Sequence, residues 1–193
     1  MALAIAVEMD WEVRQQDVKT AFMYADIEED VFVVEPPGFE AQGKNGVPFV
    51  MKLGKSLYWL AQSPVNWFHT IDPVLISIGF TPLKSDTCIY IYDHDGIIIL
   101  TLYVDDILVI GGDIQLIEKI KRKLMDQFKM TDMGDVSLVL SMQVTRDRQG
   151  KTLTNSQENY TKSILERFVP TANRLVLQAS VLSFLRNNRK VRC

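Results

Sequence analysis

IIILTLYVDDILVIGG (residues 97–112) sets two apolar runs, 97–104 and 107–110, on either side of the adjacent carboxylates Asp105 and Asp106. Each run has the length and branched-residue content of a buried strand, so the stretch reads as two strands joined by a tight turn. Unpaired carboxylates inside a core cost several kcal/mol or more, so the pair belongs at an exposed tip or beside something positive. Read alone, it is either a solvated hairpin turn or part of a metal site.

Working outward, CIYIYD (88–93) is a strand candidate, joined to the 97–104 strand by the turn DHDG. On the other side, Asp113 is a natural cap for a helix whose apolar set is Ile114, Ile117, Ile120, Leu124 and Phe128. Upstream, 13–18 suits a short strand, TAFMYADI a turn or helical turn, 31–39 a strand stopped by Pro36, Pro37 and Gly38, 41–46 a loop and 47–53 another strand. Pro64 can open a helix that runs to about Ile78 and closes at Gly79, with a kink or break expected at Pro73. Downstream, 136–146 reads as one strand, DRQGK as a turn and TLTN as its partner. Ser156 then caps a helix with Tyr160, Ile164, Leu165 and Phe168 inward. The order is mixed α/β (α+β), without repeats or low-complexity segments.

Of the 193 residues 47% are hydrophobic, enough for one core. MALAIAV lacks a basic flank and acids follow at once, so neither a secretory signal nor a membrane span is expected, and the chain reads as intracellular, cytoplasmic or nuclear. Cys88 and Cys193 are far apart and without nearby histidine, which speaks against a disulfide framework or a zinc site. All 24 acids lie at or before Glu166, while five of the 21 basic residues fall from Arg174 onward, so residues 1–171 carry −8 and the tail +5. An acidic body is a poor non-specific binder of phosphate backbones.

Asp17, near the end of the first strand candidate, can join Asp105 and Asp106 if its strand lies beside their turn. Three gathered carboxylates repel, and protonation or a divalent cation relieves them. Hard oxygen ligands without histidine or cysteine suit magnesium or manganese, and a pair of ions about 4 Å apart suits phosphoryl transfer. Alone, Asp17 reads equally as a cap or surface residue.

Six blocks resemble a known family. YVDD within LTLYVDDILVIGG, with QQDVKTAFMYADIEEDVFVVEPPGFE, KLGKSLYWLAQSPVNWF, GFTPLKSDTCIYI, FKMTDMGD and YTKSILERF, is similar in order and content to the reverse transcriptase domain of copia-type retrotransposons over about residues 2–168. The resemblance implies a polymerase palm: an antiparallel sheet backed by helices on a ferredoxin-like core. It implies RNA-directed DNA synthesis with two Mg2+ (or Mn2+) ions held by Asp17, Asp105 and Asp106, which are also the catalytic carboxylates. It implies as partners an RNA or DNA template with primer and deoxynucleoside triphosphates. By position, Ala21 and Phe22 fall on the floor of the nucleotide site, with Phe22 either the ribose discriminator or a core phenylalanine. Tyr103 belongs to the same site, and Gln62, with Ser63 and Pro64, to the block that positions template and nucleotide.

The chain also departs from the family. Where the family reads LYGLKQAPRAW, Trp59 replaces glycine, Ala61 lysine and Val65 arginine; YAD stands for NGD, and Ser141 replaces a glycine. The expected organisation is a palm with part of the fingers over 1–168 and an unrelated or disordered basic tail over 169–193, with upstream fingers, thumb and ribonuclease H parts of a polyprotein missing. The tail's RNNRKVR reads as out-of-frame or unrelated coding, or as a nucleic-acid or nuclear-targeting patch. Activity of this chain alone is not expected. The competing reading is a non-catalytic retrotransposon remnant or a recruited nucleic-acid-binding module. His69 and His94 read as structural or solvated, and KIKRK (119–123) as the wet face of its helix. Trp59, Trp67 and Phe68 are candidates to stack on bases, with core packing preferred for the last two.

Overall fold

The computed structural model describes residues 1–39 and 49–168. The expected loop at 41–46 and the tail at 169–193 lie outside the described residues. The elements are α1 (Ala2–Glu8), β1 (Glu12–Val18), a short 3-10 turn (Ala21–Tyr24), β2 (Phe32–Val34), β3 (Val50–Lys52), α2 (Ser63–Ile78), β4 (Thr81–Leu83), β5 (Asp86–Asp93), β6 (Ile97–Tyr103), β7 (Asp106–Gly111), α3 (Ile114–Met125), β8 (Met130–Asp135), β9 (Leu138–Val139), β10 (Met142–Asp147), β11 (Thr152–Ser156) and α4 (Glu158–Phe168). This is an α/β chain. Among the described residues, no helix is long and apolar enough to cross a membrane.

Six strands form one sheet in the order β4-β5-β6-β7-β1-β8, and every neighbouring pair is antiparallel. The apolar runs of the opening stretch are its centre. Side chains alternate across a pleated strand, so β6 and β7 supply two cores. On one face Ile98, Leu100, Leu102, Ile107 and Val109 meet Trp67, Ile71 and Leu75 of α2 and Ile117, Ile120 and Leu124 of α3. On the other, Ile99, Leu108 and Ile110 meet Val13 and Ala6, with Leu3, Ile5 and Trp11 beside them. The MALAIAV segment is therefore a helix that covers the second face.

Local chemistry explains the helix ends. Asp113 accepts from the amides of Gln115 at 2.7 Å and Leu116 at 3.3 Å, satisfying two otherwise unpaired donors of α3. Gly79 ends α2 at φ +115, a conformation that side chains disfavour. Pro73 lies inside α2 without ending it, so the expected break does not occur. Gly111 is needed for close packing, because a Cβ there would collide with Ile98.

Three further expectations change, and one strand appears where no element was expected. Residues 136–146 are not one strand: β9 and β10 fold back on each other around Leu140 and Ser141, both at positive φ. Residues 130–135, polar and without alternation, form the edge strand β8 against β1. In α4, Tyr160, Ile164 and Phe168 are exposed rather than inward. On α3, Ile114 is half-exposed, whereas Lys121 of the supposed wet face is only 3% exposed. It reaches Glu118 at 2.7 Å and Asp132 at 2.6 Å.

Candidate functional site

The hairpin between β6 and β7 is closed by Val104 and Asp105 alone. Val104 adopts φ +53, an outlier for a β-branched residue, and its carbonyl accepts a 2.7 Å hydrogen bond from the buried Trp67 indole. Helix α2 thus clamps the turn that projects Asp105, and the core packing preferred for Trp67 is what the structure has. Phe68, next to it, is only half-buried.

Antiparallel register brings the distant Asp17 to this turn. Asp17 is paired with Asp106, and Asp106 is paired on its other side with Tyr103. The Val18 amide donates to the Asp105 carbonyl at 2.8 Å, which makes Asp17 and Asp106 a narrow, non-hydrogen-bonded pair with Cα atoms about 4.5 Å apart. Residues directly opposite share a sheet face, so Tyr103, Asp106 and Asp17 form one row at the sheet's edge. The next row inward is Thr101, Leu108 and Gln15, and beyond it Ile99, Ile110 and Val13 run under α1. That face therefore grades from charged at the tip to apolar beneath the helix.

All three carboxylates are half-buried. Burial raises the pKa of Asp106 above the ordinary aspartate value, opposed by the Gln15 amide, which donates to Oδ1 at 3.2 Å, and reinforced by the charges of Asp105 and Asp17. The Tyr58 hydroxyl donates to Asp105 Oδ2 at 3.2 Å. Burial raises the Tyr58 pKa, with Asp105 and then Asp17 adding to the shift.

Phe22, 5% exposed, packs its ring against that of Tyr58, with centroids 4.6 Å apart and planes tilted by 54°, so it is a core residue that backs the site. Ala21 is fully buried beside it. Gln62 is the N-cap residue of α2 and half-buried; its side chain makes no capping hydrogen bond. Tyr103 is 61% exposed at the end of the charged row. Sequence reasoning missed Tyr58 and Gln15. Neither carries a signal apart from the carboxylate it touches, because a tyrosine in a loop and a glutamine in a strand are ordinary until the register is known.

The model of the family described as reverse transcriptase (RNA-dependent DNA polymerase) matches residues 1–179. The chain belongs to the reverse transcriptase family. All six blocks that carry the copia-type resemblance lie within the match. The chain is 42% identical over 168 residues to the retrovirus-related Pol polyprotein from transposon TNT 1-94 of Nicotiana tabacum, covering 86% of this chain and 12% of that protein. It is 33% identical over 168 residues to the Pol polyprotein from transposon RE2 of Arabidopsis thaliana, covering 86% and 11%. With the putative transposon Ty5-1 protein of Saccharomyces cerevisiae it shares 29% over 156 residues, covering 80% and 50%. The chain thus spans about an eighth or less of the length of the two Pol polyproteins.

Membership in the reverse transcriptase family implies dependence on divalent metal in general. The donors fit such an ion in kind: hard oxygens, accessible, with mutual repulsion that a cation relieves. In the conformation described, Asp105 is engaged by Tyr58 and Asp106 by Gln15. Among the described residues no group of three or more His, Cys, Asp or Glu is arranged to hold a metal.

Proposed function

We propose that this reverse transcriptase chain is a polymerase palm on a ferredoxin-like core, with Asp17, Asp105 and Asp106 as its catalytic carboxylates. The observation that carries the reading is the register pairing Asp17 with Asp106 beside the Asp105 turn. These three residues would hold two Mg2+ (or Mn2+) ions. Bound there, the ions would supply activation of a primer 3′-hydroxyl and stabilisation of the triphosphate leaving group. The chain's own residues do the rest. The clamped hairpin fixes where the carboxylates stand, and Phe22, with the fully buried Ala21 behind it, would form the floor facing a nucleotide ribose. An aromatic floor clashes with a 2′-hydroxyl and so favours deoxynucleotides. Gln62 and Tyr103 flank the bound nucleotide and the template with its primer.

Residues 1–168 act as the palm with part of the fingers, and the chain does not polymerise processively by itself. Trp59, Ala61 and Val65 stand where the family has a glycine and two cations, so grip on phosphate is weakened. Positioning is worth many powers of ten in such reactions. Magnesium titration followed by NMR tests the site: signals around Asp17, Asp105 and Asp106 shift at millimolar Mg2+, and the Asp105→Asn variant loses the response. No response from a normally folded chain would leave the non-catalytic remnant as the better reading. Processive primer extension that vanishes in Asp105→Asn would overturn the expected inactivity.

A further inference from the structure

We propose that Tyr58 is a positioning residue for Asp105, whose phenol holds Oδ2 of that carboxylate until a divalent ion displaces it. The inference rests on the metal-binding reading of Asp105 given above. Its physical basis is the way the loop before α2 is built. The Ser56 amide donates to the Ala25 carbonyl at 2.9 Å, the Ser63 hydroxyl to the Leu57 carbonyl at 2.6 Å, and the Asn66 side chain to the Ser56 hydroxyl at 3.1 Å. These bonds pin Ser56 and Leu57, immediately before Tyr58, to Ala25 and to the first turn of α2. The Phe22 ring then backs the phenol from below, and Phe22 itself is buried.

Tyr58 is nonetheless 44% exposed, so its ring can swing outward without opening the core. A neutral donor suits this place. It satisfies one oxygen of a carboxylate that faces two like charges, yet adds no charge of its own that would expel a cation. The two hairpin carboxylates are therefore held by neutral donors from different elements, Asp105 from the α2 loop and Asp106 from Gln15 of β1. Holding them apart keeps the repelling groups from converging while no cation is bound. The cost is a hydrogen bond that an incoming ion must break.

The test uses Mn2+ alone as the probe, with binding to the full chain read by water-proton relaxation. Replacing Tyr58→Phe keeps the ring packed against Phe22 and frees Oδ2, so Mn2+ binds about three- to tenfold more tightly, the expected release of one partly exposed hydrogen bond to a charged group. Asp105→Asn abolishes the binding. A measurement that needs no substitution at Tyr58 accompanies it: in wild-type protein the Tyr58 ring signals shift on adding Mg2+, and in Asp105→Asn they do not. Binding that requires Asp105 but is unchanged or weaker in Tyr58→Phe, or Tyr58 signals that stay fixed while Mg2+ binds, overturns the role of Tyr58 and leaves the carboxylate site standing. Absence of any Asp105-dependent Mn2+ binding overturns both.

Discussion

At Asp106, strand pairing forces a carboxylate directly against another, Asp17, in the narrow kind of antiparallel pair. Like charges so placed destabilise a sheet by about 0.2–1 kcal/mol. Because the folded-state pKa of Asp106 is raised, its favourable contribution is present below the unfolded value and is lost as pH rises through the folded one. Asp106→Asn is therefore expected to stabilise the metal-free protein by that amount at neutral pH, with the gain vanishing in acid; urea unfolding at several pH values checks it. Trp59 has a different defect. It sits at φ +78 with its indole fully exposed, at the position where the family has glycine. Left-handed backbone costs a non-glycine residue about 1–2 kcal/mol, part of which glycine returns through greater freedom when unfolded. Trp59→Gly should thus raise the urea midpoint by the equivalent of about 0.5–1 kcal/mol at unchanged slope. The residues that matter here were unequally legible. Asp105 and Asp106 declare a hairpin tip by interrupting two apolar runs. The approach of Asp17 depends on a register between strands some ninety positions apart, which no local pattern encodes: its place at a strand end allowed the approach, and the family likeness favoured it.

Elements were legible where one apolar face meets one core. Helix α3 has its cap and stripe in the sequence, and β6 and β7 announce themselves because they are buried on both faces. Strand β8 does not, since MTDMGD joins the sheet through backbone pairing at an edge, where no apolar face is required. The turn between β9 and β10 was hidden because Leu140 and Ser141, not glycine, take its positive φ. Lys121 defeats periodicity in another way. Its ammonium is carried beneath the helix to Asp132 of β8 and to Glu118. Burial pushes the Asp132 pKa up, but the Lys121 hydrogen bond, the Gly134 amide and nearby charge bring it below the ordinary value overall. A carboxylate depressed in this way contributes stability above its unfolded pKa, and that contribution is lost as pH falls through the folded value. Asp132→Asn should destabilise by about 1–2 kcal/mol at pH 7, because a buried ammonium loses one of its two carboxylates. The difference from wild type should shrink as pH falls below the ordinary aspartate range and through the lowered folded-state value, where Asp132 is protonated in both states. Denaturant titrations at pH 7 and below that value decide it; a pH-independent difference would assign the effect to packing instead.

The whole molecule is closed by contacts between its first dozen residues and β10. Strand β1, from the beginning of the chain, lies between β7 and β8, so the sheet is continuous only after long-range pairing. Arg146 locks that arrangement. Its guanidinium, 16% exposed, donates to the carbonyls of Ala6 and Trp11 and to the Asp10 carboxylate, while the more exposed Arg148 reaches Asp10 and Glu12. Ala6 lies in the last turn of the helix that covers Ile99, Leu108 and Ile110, and Trp11 follows that helix, so the same side chain holds down the second core. Removing it takes the guanidinium donor from the Trp11 carbonyl and from the Asp10 carboxylate, leaves the Ala6 carbonyl with the Trp11 amide alone, and loosens α1 from the sheet. Arg146→Ala should therefore cost about 2–3 kcal/mol, whereas Arg148→Ala should cost about 1 kcal/mol or less as a solvent-screened pair. The loss should also be local. Hydrogen exchange in Arg146→Ala is expected to accelerate in α1 and β10 while β6 and β7, packed under α2 and α3, remain protected. Uniform acceleration across the sheet would mean that the second core is not a separable unit and that β1 releases the candidate carboxylate row together with α1.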